Sequence, residues 1–237
     1  MAFTNSPLVS YTRISPYSSG REGRNIDTIT IHCSASQAAV ETLGRLFQTK
    51  AASTNYGIGP DGRVGMYVEE RNRSWATSDR ENDRRAVTIE VACENKHPYR
   101  VNDAAYKTLL DLVTDICRRN GIKKLIWSTS KADRVNHRNG CNMTVHRDYE
   151  NKACPGQWLY ERHGQIAAEV NKRLEDEEME RWKTIEDVPA GYREMAQRYI
   201  DAGALKGKGN GEIDLSEDMI RVMEIMRRYF ENMMEGK

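Results

Sequence analysis

The spacing of apolar and polar positions changes several times along the chain, and each change marks an element. From Asp27 to Cys33 (DTITIHC) β-branched residues alternate with others, which predicts a strand. Residues 38–50 carry Leu43, Leu46 and Phe47 at helical spacing. Tyr56-Gly57-Ile58-Gly59 and Arg63 to Val68 flank Pro60-Asp61-Gly62 and read as a hairpin: proline pre-sets φ and glycine permits a positive φ in the turn. Ala86 to Cys93 (AVTIEVAC) is apolar almost throughout, as a central strand covered on both faces is. Asn102 or Asp103 can cap a long helix with Tyr106, Leu109, Leu110, Val113 and Cys117 on one face, and Gly121 ends it. Lys124 to Trp127 predicts a short strand, residues 128–140 a polar loop, and Trp158 to Leu174 a closing helix. The order β-α-β-β-β-α-β-α predicts an α/β fold, a mixed central β-sheet flanked by helices.

The pattern differs at both ends. Residues 1–25, rich in Ser, Arg and Gly, read as an irregular arm. After Leu174 an acidic link, residues 175–180, leads into a small α-helical C-terminal module over residues 184–237. There Pro189 precedes a helix with Tyr192, Met195, Ala196, Tyr199 and Ile200, Gly203 stops it, and a glycine-rich loop follows (207–211). Ser216 can cap a second helix, with Glu217 and Asp218 complementing its dipole. The stripe Met219, Val222, Met223, Met226, Phe230 and Met233 on that helix reads as core, with a few residues left over for a partner chain.

Composition narrows the classes. Of 237 residues, 38% are hydrophobic and 30% charged, which suits a soluble globular chain. No apolar run approaches a membrane span, and a net charge of +1 points to neither nucleic acid nor anionic lipid. Met1 to Ser19 lacks a basic start followed by an apolar stretch, so no secretory signal is expected. Five cysteines form no evenly spaced framework, which suggests a reducing compartment. Each must then be core filler, metal ligand or nucleophile.

Three residues carry the candidate chemistry. His32 ends a predicted strand, His146 lies in TVHRDY, and Cys154 lies in NKACPG before a Pro-Gly turn. Imidazole and thiolate both suit zinc, and two His with one Cys leave a fourth tetrahedral position for water. Spacing alone is weak support, because no general zinc signature places His and Cys eight residues apart. A nucleophilic Cys154–His146 pair is the alternative, but it leaves His32 without a role. Glu90 sits inside an apolar strand, where a carboxylate is costly unless paired or used; the bland alternative is a strand residue facing solvent. His137 and Cys141 read as loop residues, Cys33, Cys93 and Cys117 as core, and His97 and His163 as exposed.

The set TIHCSA, NYGIGPDGRV, TIEVACEN and TVHRDYENKACPG resembles the type 2 family of N-acetylmuramoyl-L-alanine amidases, which includes phage endolysins and peptidoglycan recognition proteins. The resemblance runs from about Ile26 to Leu174 and implies a zinc amidase catalytic domain over residues 26–175. It implies His32, His146 and Cys154 as Zn2+ ligands. It implies Lys152 as a cation beside the metal, Tyr56 as a hydroxyl near the zinc-bound water, and Glu90 as general base. It leaves open which of Tyr56 and Glu90 moves the proton. The loop Trp75-Ala76-Thr77-Ser78 is expected to border the cleft, with Asn55 and Arg147 as further candidate substrate contacts. The implied substrate is bacterial peptidoglycan, cut between N-acetylmuramic acid and L-alanine.

A phage or prophage endolysin held in the host cytoplasm until lysis is the leading expectation. A bacterial autolysin and a non-catalytic peptidoglycan receptor on the same fold are the alternatives. Such receptors typically lack the cysteine ligand, so Cys154 favours the enzyme. Residues 184–222 are similar to a single S-layer-homology-like repeat, which implies cell-wall polymer binding; the bland alternative is a small helical extension that packs on the amidase domain or mediates self-association.

Overall fold

A computed structural model describes residues 3–178, 181–209 and 211–234. The first two residues of the expected arm, the last two of the acidic link, position 210 of the glycine-rich loop and the last three of the module lie outside the described residues. The chain forms two units, residues 1–174 and 175–237.

In the first unit the elements run β1 (Val9–Thr12), β2 (Ser18–Gly20), β3 (Thr28–Cys33), α1 (Val40–Thr49), β4 (Tyr56–Ile58), β5 (Val64–Met66) and β6 (Asn72–Ser74). Then follow α2 (Arg80–Arg85), β7 (Ala86–Val91), α3 (Asp103–Arg119), α4 (Lys131–Val135), β8 (Met143–Thr144) and α5 (Gly156–Glu178). Six strands form one sheet in the order β1-β5-β4-β7-β3-β8. Only β4 and β5 pair antiparallel, so the sheet is mixed, as expected.

Alternation sorts the two central strands into two different faces. Ile29, Ile31, Val87, Ile89 and Val91 join the buried residues of α3 and α5 in the main core. The other face carries Thr28, Thr30 and His32 from β3 and Ala86, Thr88 and Glu90 from β7. Its hydroxyls are satisfied laterally: Thr30 Oγ1 lies 2.7 Å from Thr144 Oγ1, and Thr144 Oγ1 donates to Asn82 Oδ1 at 2.8 Å. Glu90 therefore stands on a polar stripe that a reading of AVTIEVAC as uniformly apolar conceals.

Caps set the helix limits. Asn102 Oδ1 accepts from the Ala105 N–H at 2.9 Å, which is worth about 1 kcal/mol. At the other end of α3, Gly121 takes φ +68°, and the Ile122 N–H reaches back to the Cys117 carbonyl. That closure needs a left-handed residue, so glycine stands there.

Several expectations are corrected. The arm is not irregular: β1 pairs parallel with β5, and β2 pairs antiparallel with β6. It is anchored by Arg21, whose buried guanidinium donates to the carbonyls of Glu70, Arg84 and Ala86 at 2.6–3.0 Å. Lys124 to Trp127 is not a strand. Asn142 and Asn171 side chains take the backbone groups of Lys124, Leu125 and Ile126 that a neighbouring strand would have taken. The edge position beside β3 goes to β8 instead. The loop over 128–140 contains α4, capped by Ser130. His163 is buried, not exposed: Nδ1 lies 2.8 Å from the Leu159 carbonyl, the ring stacks on Trp127, and burial pulls its pKa down to about 4. Cys33, Cys93 and Cys117 are buried as expected.

The second unit comprises β9 (Arg181–Trp182), α6 (Ala190–Asp201), β10 (Leu215–Ser216) and α7 (Glu217–Met234). Its core is Trp182, Val188, Met195, Ala196, Ile213, Leu215 and Ile220. The α7 stripe is not core. Ile220 is buried and Met223 packs against it, but Val222, Met226, Phe230 and Met233 are exposed. The 12 residues of α6 are too few to cover the 18 of α7. Among the described residues, no helix is long and apolar enough to cross a membrane.

Candidate metal centre

The C-terminal ends of β3 and β7 bring the first two site residues together. His32 and Glu90 are direct partners in the parallel ladder, and both project from the polar face. Burial lowers the pKa of the His32 imidazole and raises that of the Glu90 carboxyl, each in the direction that disfavours charge.

The other two candidate ligands come from the loop between β8 and α5. His146 opens a tight turn, residues 146–148, directly after β8. Asp148 in that turn forms a fully buried pair with Arg134 of α4, at 2.6 and 2.7 Å. Arg134 also donates to the Ser128 carbonyl and stacks on Trp127. Removing one partner of such a pair typically costs about 3–5 kcal/mol, so the turn is firmly anchored. Arg147 donates from Nη2 to the Ala153 carbonyl at 2.6 Å, and its backbone N–H to the Cys154 carbonyl at 3.2 Å. These bonds tie the Cys154 end of the loop to the His146 end.

The donor atoms of His32, His146 and Cys154 all lie within 4.8 Å of one another. Cys154 Sγ is 3.4 Å from His32 Nδ1, and the two imidazole rings meet edge to face with centroids 5.2 Å apart. His32 Nε2 is buried and meets no protein partner. A buried imidazole with one nitrogen facing a thiol and the other unsatisfied is costly unless a further group engages it. Two nitrogens and one sulfur converging on one point fit a borderline-soft divalent cation, and three protein donors leave a coordination position open. The group could hold a metal ion.

A cavity of about 420 Å³ opens beside this group, lined among others by His32, Glu90, His146, Lys152, Cys154 and Trp75. Lys152 is half exposed, and its Nζ lies 3.3 Å from Glu150 Oε1. Glu150 also accepts from Ser78 Oγ at 2.8 Å and faces His146 Nε2 at 3.1 Å, so it links the ligand loop to the loop after β6. Sequence reading passed over Glu150, although its place four residues after His146 in HRDYE was a usable signal. Trp75 and Ala76 line the cavity as expected. The loop they begin is pinned by Asp83, which accepts from the Ala76 and Thr77 backbone N–H groups and from Thr77 Oγ1.

Tyr56 is corrected. It pairs with Ile89, not with Glu90, so it projects from the opposite face of the sheet into the main core. Its hydroxyl donates to Glu70 Oε1 at 2.7 Å and accepts from the Ser6 N–H at 2.9 Å. Burial pushes its pKa up, away from any proton-transfer role near neutral pH. Thr54, two residues earlier, lines the cavity instead. Asn55 is also buried and spends its side chain on Val68, Asn72 and Thr88. Arg147 braces the ligand loop and stacks over Tyr160.

A family model described as N-acetylmuramoyl-L-alanine amidase matches residues 22–157. No curated protein matches the chain. Among solved structures, a selenomethionine derivative of AmpD is similar at 19% identity, covering 70% of this chain and 99% of that one, with a TM-score of 0.51. The endolysin N-acetylmuramoyl-L-alanine amidase LysCS from Clostridium intestinale URNW is similar at 18% identity, covering 69% and 93%, with a TM-score of 0.50. At these identities the two structures speak for the fold, the mixed sheet with flanking helices.

Proposed function

The chain belongs to the N-acetylmuramoyl-L-alanine amidase family, and from that premise we propose that it is a zinc-dependent hydrolase cutting peptidoglycan between N-acetylmuramic acid and L-alanine. The observation that carries this reading is the convergence of His32, His146 and Cys154 at the edge of a cavity that Glu90 and Lys152 also line. His32, His146 and Cys154 would hold the zinc. When bound there, zinc supplies Lewis-acid polarisation and makes hydroxide available near neutral pH.

The chain's own residues then divide the remaining work. Glu90, with its carboxyl pKa raised by burial, accepts a proton from the attacking water and delivers it to the leaving amine. The Lys152 ammonium supplies positive charge for the oxygen that becomes negative during attack. Residues of α1 and of the Trp75 loop line the walls of the cavity that would receive the scissile amide. A lytic setting, in which the enzyme is a phage or prophage endolysin meeting the wall from the cytoplasmic side, belongs to the same proposal. So does a role for the second unit in binding a wall polymer or a second copy.

Tyr56 has no part in this scheme. Tyr56→Phe is expected to keep hydrolysis within a few-fold of wild type. It should lower stability by about 1–3 kcal/mol, because buried Glu70 loses a donor and the Ser6 N–H loses its acceptor. Urea unfolding alongside a rate measurement checks this. A large fall in kcat at unchanged stability would return Tyr56 to the site.

The reading as a whole is tested by incubating the protein with purified peptidoglycan, with and without a chelator, then restoring zinc. The expected result is release of new L-alanine amino termini without new reducing sugars, lost on chelation and recovered with zinc. New reducing ends would make the chain a glycosidase and overturn the assignment.

A further inference from the structure

The two imidazoles of the metal centre are held in different ways. His32 lies on β3, is only 3% exposed and turns Nδ1 toward Cys154 Sγ, so the strand and its packing fix the ring. His146 lies on a turn, and its side chain is 17% exposed. The buried Arg134–Asp148 pair anchors that turn but does not set the rotation of the ring at 146. A histidine χ2 has two broad wells, and half a rotation would put a ring carbon where a nitrogen had been.

Glu150 supplies the missing restraint. Its Oε2 lies 3.1 Å from His146 Nε2 and accepts from Ser78 Oγ at 2.8 Å, while Oε1 faces Lys152 Nζ at 3.3 Å. An ionised carboxylate only accepts hydrogen bonds, so the nitrogen opposite it carries the proton. In a neutral imidazole the lone pair then belongs to Nδ1. Among the described residues the donors that converge are those of His32, His146 and Cys154, and Glu150 is not one of them. Its carboxylate stands behind one ligand instead, the place from which an outer partner fixes a ligating imidazole and raises its basicity. The far end of this arrangement is specific too. Ser78 takes φ +63°, a left-handed conformation uncommon for residues other than glycine, and from there its hydroxyl reaches Glu150.

We propose that Glu150 is a positioning residue for the metal centre: by accepting from Nε2–H it selects the His146 tautomer and ring orientation that offer Nδ1 to the ion, and through Ser78 it ties that ligand to the Trp75 loop. This deepens the zinc-hydrolase reading and rests on it.

The test uses the full chain and reads metal instead of turnover, because Glu150→Ala also releases Lys152 from its partner. The zinc dissociation constant is measured by competition with a chromophoric chelator. Glu150→Ala is expected to raise it about 10–100-fold, the usual loss when the outer partner of a ligating histidine is removed. Glu150→Gln keeps an acceptor oxygen and should lose clearly less. Without metal, both variants should unfold at nearly the wild-type urea concentration, because the Glu150 side chain is half-exposed. Imidazole nitrogen NMR of the zinc-loaded wild type should show His146 protonated on Nε2, and it decides by itself if a variant does not fold. An unchanged dissociation constant in Glu150→Ala, an equal loss in both variants, or a His146 protonated on Nδ1 overturns this role. Any of these in a protein that still hydrolyses peptidoglycan leaves the amidase reading standing. Zinc affinity that falls as expected, in a chain whose wild type hydrolyses nothing, upholds the role of Glu150 and sinks the amidase reading. A wild type that binds no zinc overturns both.

Discussion

Glu90→Gln is expected to lower the rate of amide hydrolysis about 10²–10⁴-fold while the protein keeps its metal. Glutamine has nearly the same volume and fits the same place in β7, so the fold and the neighbouring His32 are left as they are. What disappears is the ability to take and return a proton. Glu90 is the ladder partner of His32, lines the main cavity, and has its pKa raised by burial, the direction that brings a carboxyl toward use at neutral pH. A glutamate that only decorated the strand would cost no more than about 0.5 kcal/mol on replacement and nothing in rate. The measurement is turnover on purified peptidoglycan together with metal content on the same preparation. A fully active variant would remove Glu90 from the chemistry. A variant that lost metal as well as activity would make it a prop for the ligands instead of the proton carrier.

Cys154→Ser is expected to strip the metal from the protein under dialysis that wild type survives, and activity with it. Serine preserves size but replaces a soft thiolate with a neutral hydroxyl that does not ionise near neutral pH, leaving two imidazoles to hold the ion. The loss should exceed the roughly 10–100-fold that removal of an outer hydrogen-bond partner costs a metal site. Stability offers a second readout. A ligand that binds the folded chain raises its melting temperature, so chelation should lower the Tm of wild type and leave that of Cys154→Ser unchanged. Equal metal content in both proteins would show that Cys154 does not hold the ion, and would reopen its reading as the nucleophile of a Cys154–His146 pair.

The central strands, the hairpin, the long helix α3 with its Asn102 cap and Gly121 stop, and the helix before Gly203 were all legible. Each declares itself through local periodicity or through a residue whose backbone preference ends an element. The polar helix α2 was not legible, because RENDRR carries no apolar position from which to read a period. Strand β8 was missed and a strand at 124–127 expected in its place because two asparagine side chains satisfy the backbone there, a choice made by residues 16 and 46 positions away. The α7 stripe misled for a related reason: periodicity identifies an apolar face but does not say whether anything covers it.

By itself, the sequence determined which residues are candidates for the chemistry. His32, His146, Cys154, Glu90 and Lys152 were named from residue type, from their neighbours and from a family resemblance, and the fold brings all five to one cavity. Only the tertiary structure decided which of the candidate groups face that cavity. Tyr56 and Glu90 both lie in strands of the same sheet, yet the parallel register opposes Glu90 to His32 and Tyr56 to Ile89. A step of one residue in a strand moves a side chain from one face of the sheet to the other. No local pattern in NYGIG could have told which face the site would occupy.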